Sequence, residues 1–185
     1  MAGFGDPGAR LFILGLAPGY NGANRHGRVF TGDSSGRWLW GALHGLGVAS
    51  LPDSLGPGDG MELRDVWISN AARCVPPGNR PTTEELATCR GFLARELAAL
   101  PRITVVLALG KLAHDTYLKL QGERLARYPF GHGARHALPG EPSHLLDSYH
   151  PSRQNTNTGV LKWDSWVEVL SRSLELSRSD QRLRA

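Results

Sequence analysis

Two side chains in this sequence have the type and setting for acid–base work. Asp33 lies in Phe30-Thr31-Gly32-Asp33-Ser34-Ser35-Gly36, and His150 lies in Tyr149-His150-Pro151. A carboxylate can orient water or steady a cation, and an imidazole can donate a proton or a hydrogen bond at neutral pH. Each also has an ordinary reading. Asp beside Ser and Gly is a common turn or helix-cap residue, and a lone loop histidine often only packs. The neighbours of His150 favour chemistry: Ser152, Arg153, Gln154, Asn155, Thr156, Asn157 and Thr158 form a dense polar run. Such a run makes poor core and good hydrogen-bonding surface for phosphates. His132 and His136 have a spacing a metal could use but no obvious third ligand, so structural roles are the expectation. Cys74 and Cys89 have fourteen residues between them. Taken alone they read as two buried thiols, since a zinc or iron–sulfur site wants four ligands. The glycine-rich stretch from Ala17 to Gly36 follows a strand, yet no G-x-G-x-x-G opens a helix and Gly110-Lys111 lacks the upstream glycine of a phosphate loop. No bound nucleotide is expected.

Those residues need elements to hold them. Leu11–Leu16, Val66–Ala71, Ile103–Leu109 and His144–Ser148 read as four short buried strands. Helices are expected over Trp38–Leu46, from Pro81 to about Leu100 with Thr82 as cap, over Gly110–Leu120, and over Trp163–Leu176. Gly47–Gly60 and Arg127–Pro142 read as loops. Strand alternating with helix predicts an α/β fold, a three-layer α/β/α sandwich with a four-stranded parallel sheet. Ligands in such folds gather at the carboxyl ends of the strands. The loops there are the ones that hold Asp33, Cys74–Arg80 and His150.

The chain has 185 residues with 41% hydrophobic and 21% charged side chains, enough for one core in a single domain spanning 1–176. The last residues, 177–185, are polar and read as a frayed tail. No apolar run is long enough to cross a membrane, and Met1–Asp6 has neither the basic nor the apolar part of a secretory signal. Two cysteines suit a reducing cytoplasm. A net charge of +4 permits a polyanionic partner without demanding one.

Three longer motifs occur in order. The first is Gly15-Leu16-Ala17-Pro18-Gly19, continuing through Gly22-Ala23-Asn24-Arg25 and Gly27-Arg28 to Phe30-Thr31-Gly32-Asp33. The second is Asn70-Ala71-Ala72-Arg73-Cys74-Val75-Pro76-Pro77-Gly78-Asn79-Arg80-Pro81. The third is Ser148-Tyr149-His150-Pro151-Ser152-Arg153-Gln154-Asn155-Thr156-Asn157-Thr158-Gly159. Together they resemble the uracil-DNA glycosylase superfamily in its family 5, or type B, form, over about Gly3 to Leu176.

The resemblance implies a DNA repair enzyme. Such enzymes hydrolyse the N-glycosidic bond of uracil, or of other deaminated or modified bases, flipped from DNA into a pocket. It implies that Phe30 stacks on the base, that Asn79 reads its edge, and that Gly15 and Ala17 complete the pocket. It implies His150 as the donor facing the base carbonyl and Asp33 as the carboxylate that orients water, since Leu16 and Ala17 stand where better-known glycosylases carry Gln and Asp. Arg25, Ser152, Arg153, Asn155 and Thr156 would bind DNA, and Arg28, Arg73, Arg80 and Lys162 would add to the salt dependence. No catalytic metal is implied. The partners are double-stranded DNA, single-stranded DNA as a further substrate, and no membrane; the expected state is a monomer, cytoplasmic and near the nucleoid.

Two departures stand out. Val160-Leu161-Lys162 follow Gly159 where the family usually has arginine, leucine and threonine. Family 5 chains also carry an earlier segment whose Cys-x-x-Cys joins the matches of Cys74 and Cys89 around a 4Fe–4S cluster, and these 185 residues include no such pair. Cys74 and Cys89 are then two of four cluster ligands. The alternative function is a DNA-binding homologue impaired by want of that segment.

Overall fold

The structure, a computed structural model, describes residues 1–179, with the side chain of Asn79 outside that description. A single sheet runs through it in the order β1-β3-β2-β4-β6-β5. The four inner strands β2 (Leu11–Gly15), β3 (Val66–Asn70), β4 (Val105–Leu109) and β6 (His144–Ser148) are parallel. These are the expected strands, β6 with its expected bounds and the other three shorter by one or two residues. The sheet has six strands, however, not four. β1 (Phe4–Gly5) and β5 (Arg135–Ala137) pair antiparallel on its two edges. Both are too short to show an alternating pattern, and β5 lies in the stretch read as loop.

Side chains alternate across a strand, so β2 feeds two cores. Leu11 and Ile13 pack with α2 (Ser34–Gly45) and α6 (Trp163–Ser179), through Leu39, Trp40, Leu43, Trp166 and Leu170. Phe12 and Leu14 pack on the other face with α3 (Thr83–Ala98) and α4 (Lys111–Leu120), through Leu93, Ala113, Tyr117 and Leu118. The three-layer expectation holds. Two short helices, α1 (Ala23–His26) and α5 (Arg153–Asn157), interrupt the stretches read as loop and polar run.

Helix ends follow local chemistry. Thr82 accepts from Glu85 N while Glu85 returns a bond to Thr82 N, the expected cap in its reciprocal form. α2 starts four residues before the first apolar position because Asp33 accepts from Gly36 N at 2.9 Å. α6 runs beyond Leu176 to Ser179, and Ser177 is buried against Leu174 O, so the tail does not begin at 177. The rest of the expected tail, 180–185, lies outside the described residues.

Candidate active site

A pocket of about 490 Å³ opens where β2, β3 and β6 end, and Phe30, Asp33, Asn70 and His150 line it together with Leu16–Gly19. Gly15, at the end of β2, stands behind two of these residues. A methyl group there would come within 2.7 Å of the Phe30 ring and would also strike the Asn70 amide oxygen. Only a residue without a side chain lets those two groups approach the strand end.

Phe30 sits in the left-handed region, with φ of 52°, where a bulky residue is rare. Trp40 Nε1 donates to Phe30 O at 2.7 Å, and the close approach of Gly36 leaves that carbonyl no other place. The ring belongs to the buried cluster that holds Leu39, Trp40 and Leu43 of α2, and it also lines the pocket. There it stacks on His150, with ring centroids 5.9 Å apart and planes 27° from parallel. Backbone strain held by surrounding contacts is a feature of functional sites.

Asp33 is the helix cap that one of its sequence readings expected, and it also lines the pocket. One carboxylate oxygen caps α2. The other faces the turn at Gly19 and Gly22, where a methyl on Gly22 would lie 2.6 Å from Oδ2. The cap fixes the carboxylate and leaves an oxygen free at the pocket edge. Burial pushes the His150 imidazole down to about 4, against the opposing pull of Asp33. His150 is therefore neutral at physiological pH and holds a single ring N–H to donate. Its backbone is pinned by Asn155, whose Nδ2 donates to His150 O at 2.8 Å.

Asn70 is the residue that the sequence reading passed over. It ends β3, is 4% exposed, and its Oδ1 is buried with no hydrogen-bond partner. A buried amide oxygen left unsatisfied calls for an explanation, and this one lines the pocket. Asn79, to which the family resemblance gave the base-reading role, closes the short turn Pro77–Asn79. The buried amide that lines the pocket at a strand end is that of Asn70. Its position at the carboxyl end of a parallel strand was the available signal. Ser35 and Gln154 also line the pocket unforeseen.

The expected DNA-binding residues divide. Arg25 and Arg153 are exposed. Ser152 lines the pocket and caps α5. Asn155 serves the His150 carbonyl and Thr156 Oγ1 donates to Ser152 O, so both act within the loop. Arg28 and Arg73 face inward, contrary to expectation. Arg28 is 6% exposed and pairs with Asp59 at 2.8 Å, and Arg73 pairs with Glu96.

His136 does find partners, in His114 and Asp147, with candidate ligand atoms within 4.8 Å of one another. These atoms already bond each other: Asp147 bonds His114 Nδ1 at 2.7 Å and His136 Nε2 at 3.1 Å, and His114 Nε2 meets Tyr128 O at 2.9 Å. The network ties α4 to β5 and β6, the structural role expected of His136. The cysteines are not buried thiols. Cys74 is exposed, Cys89 is partly so, and both line a separate cleft of about 340 Å³ beside the Pro76 turn.

Comparison with known proteins gives the family. A family model described as the uracil DNA glycosylase superfamily matches residues 2–172. A type-5 uracil-DNA glycosylase of Thermus thermophilus is 49% identical over 175 residues, covering 95% of this chain and 79% of its own length. Type-5 uracil-DNA glycosylases of Pyrobaculum aerophilum and Mycobacterium leprae are each 43% identical, covering 92% and 86% of this chain and 73% and 70% of their own lengths. No described helix is long and apolar enough to cross a membrane. With its pocket at the ends of β2, β3 and β6 and this match along nearly its whole length, the chain belongs to the uracil DNA glycosylase superfamily.

Proposed function

We propose that the chain removes uracil from DNA by hydrolysing the N-glycosidic bond, leaving an abasic site. The observation that carries this reading is the orphaned amide oxygen of Asn70 in the pocket that also holds Phe30, Asp33 and His150. A uracil edge offers a ring N–H beside a carbonyl. One side-chain amide can accept from the first and donate to the second. Phe30 supplies the flat apolar face on which a flipped base stacks.

With the base there, the remaining groups divide the reaction. As the bond from sugar to base breaks, its electron pair moves onto the base, and the His150 N–H donates to the base oxygen where that charge collects. The sugar becomes an oxocarbenium-like cation, which the Asp33 carboxylate faces. Water held by Asp33 attacks the sugar carbon and passes its proton to the Asp33 carboxylate. The departing base anion takes up one proton from solvent, and Asp33 returns to its charged form by releasing its own. The product pair is free base and abasic sugar.

Duplex DNA is the substrate this reading favours, with single strands also accepted and the chain acting as a monomer. Arg25 and Arg153 would contact phosphates. Other deaminated bases that present the same edge would enter the same pocket. The cleft of Cys74 and Cys89 offers a 4Fe–4S cluster two thiolates where four are usual. The fit is half a ligand set. We propose that a cluster seated there is completed by cysteines outside these 185 residues and braces the turn that follows Cys74. The test of the main reading is alkaline cleavage of a uracil-containing duplex after treatment with the protein. Cleavage at the uracil position alone supports it, and an intact strand overturns it.

A further inference from the structure

His132 takes no part in the pocket described above, yet it touches the peptide one residue ahead of His150. Tyr149 N donates to His132 Nδ1 at 3.3 Å, Ser148 Oγ lies 3.2 Å from the same nitrogen, and the imidazole stacks on the Tyr149 ring at 5.2 Å and 19°. A nitrogen that accepts an amide N–H must carry a lone pair. The proton of the neutral ring is therefore on Nε2, which is buried and has no hydrogen-bond partner among the described residues. Burial pushes the His132 imidazole below its ordinary range, against the pull of Glu168 from α6, and so keeps that lone pair available.

The support beneath His132 does not depend on Tyr149. Gly133 N donates to Asp147 O at 2.8 Å and Asp147 N to Ala134 O at 3.0 Å. The Asp147 side chain then bonds His114 and His136. His132 thus projects from a loop tied to β6 one residue before Ser148. On the other side of His150, Asn155 holds its carbonyl. The two contacts bracket Tyr149 and His150: His132 fixes the Ser148–Tyr149 peptide, one residue ahead of His150, and Asn155 fixes the peptide leaving His150.

We infer that His132 is a positioning residue, which accepts the Tyr149 N–H and so sets the backbone from which the His150 imidazole meets the Phe30 stack. This rests on the glycosylase reading. Removal of the acceptor leaves an amide N–H without its partner, and the backbone must shift to find water. A displacement of about 1 Å at a catalytic group can cost about 100-fold in rate.

Two substitutions separate the hydrogen bond from the stacking. His132→Asn puts a side-chain carbonyl near the place of Nδ1 and loses the ring. His132→Phe keeps a ring against Tyr149 and has no acceptor. In single-turnover uracil release with saturating enzyme, we expect the Phe variant to slow roughly 10- to 100-fold and the Asn variant to stay within about threefold of wild type, with little change in the half-saturating concentration for either. Hydrogen exchange at the Tyr149 amide gives a readout independent of activity, and it should quicken about tenfold or more in the Phe variant only. A Phe variant within about threefold of wild type, an Asn variant as slow as the Phe variant, or unchanged Tyr149 exchange in the Phe variant overturns the inference. A wild type that releases no uracil overturns the reading beneath it, and the exchange data still decide whether His132 holds that peptide.

Discussion

At the residue scale the pocket is built by subtraction as much as by function. Gly15 has no side chain so that Phe30 and Asn70 can approach, and Asn70 keeps a buried oxygen without a partner, the position that the proposed function gives to the base N–H. Gly15→Ala should therefore push the Phe30 ring and the Asn70 amide aside. We expect uracil release to fall at least about 100-fold, by loss of alignment, while the circular dichroism of the sheet and helices is kept. A variant as active as wild type would show that the close approach is incidental. His150 makes a pH-dependent contribution of opposite sign to a salt bridge. Its pocket value of about 4 lies below the ordinary 6.5, so the unfolded chain binds protons more readily in that window. Stability from this residue is full above about 6.5 and is lost as pH falls toward 4. In urea titrations at pH 7 and pH 5, His150→Gln should lose less stability than wild type over that interval. An equal or greater loss in the variant would contradict a neutral, pocket-held imidazole. Asp33 shows how far residue type alone can be read: the cap and the catalytic carboxylate were alternatives in the sequence, and the structure gives one oxygen to the cap and leaves the other for the role proposed here.

At the element scale, the stretch that carries Phe30 and Asp33 is held from behind by a buried ion pair. Burial alone would raise the Asp59 carboxyl. The Arg28 guanidinium and the amides of Met61, Leu55 and Gly56 outweigh that effect and hold it well below the usual carboxylate range. Arg28 and Asp59 are 7% and 8% exposed. Asp59→Ala strands a buried guanidinium, which costs about 3–5 kcal/mol. Urea unfolding at neutral pH measures it, and a loss under about 1 kcal/mol would mean that water reaches Arg28. Because the carboxyl is depressed, this stability is present above its ordinary 3.8 and is lost as pH falls below that. The inner strands were legible because each is a short apolar run between turn residues, and α3 because Thr82 and Glu85 spell out a capping box. β1 and β5 were not, since two or three residues paired to an edge leave no period to detect. Nor was the inward turn of Arg28 and Arg73, whose partners Asp59 and Glu96 are 31 and 23 residues away in sequence. Asn70 was hidden differently: it reads as the polar end of a strand until the pocket is seen to form around it.

At the scale of the whole molecule, DNA binding should draw on fewer charges than the motifs display. Arg28 and Arg73 are paired internally, and Arg25, Arg80, Arg153 and Lys162, in or beside the motif loops, are exposed. Each phosphate contact adds about −0.9 to the log–log slope of affinity against salt, so a slope of roughly −2 to −4 is expected on duplex DNA. Arg153→Gln should flatten it by about 0.9, and an unchanged slope would take Arg153 out of the interface. The 185 residues, holding two cysteines, should carry less than one 4Fe–4S cluster per chain by iron and sulfide analysis after anaerobic purification. A stoichiometric cluster on the isolated chain would contradict the half-set reading of the Cys74–Cys89 cleft.

The central claim is that the pocket of Asp33, Asn70 and His150 cuts uracil from DNA. Its most direct measurement is single-turnover release of uracil from one defined duplex by wild type, Asp33→Ala and Asn70→Ala. The account predicts release by wild type and a loss of about 100-fold or more in each variant, with folding retained in both. Variants within about threefold of wild type, or a wild type that leaves the uracil in place, would contradict it.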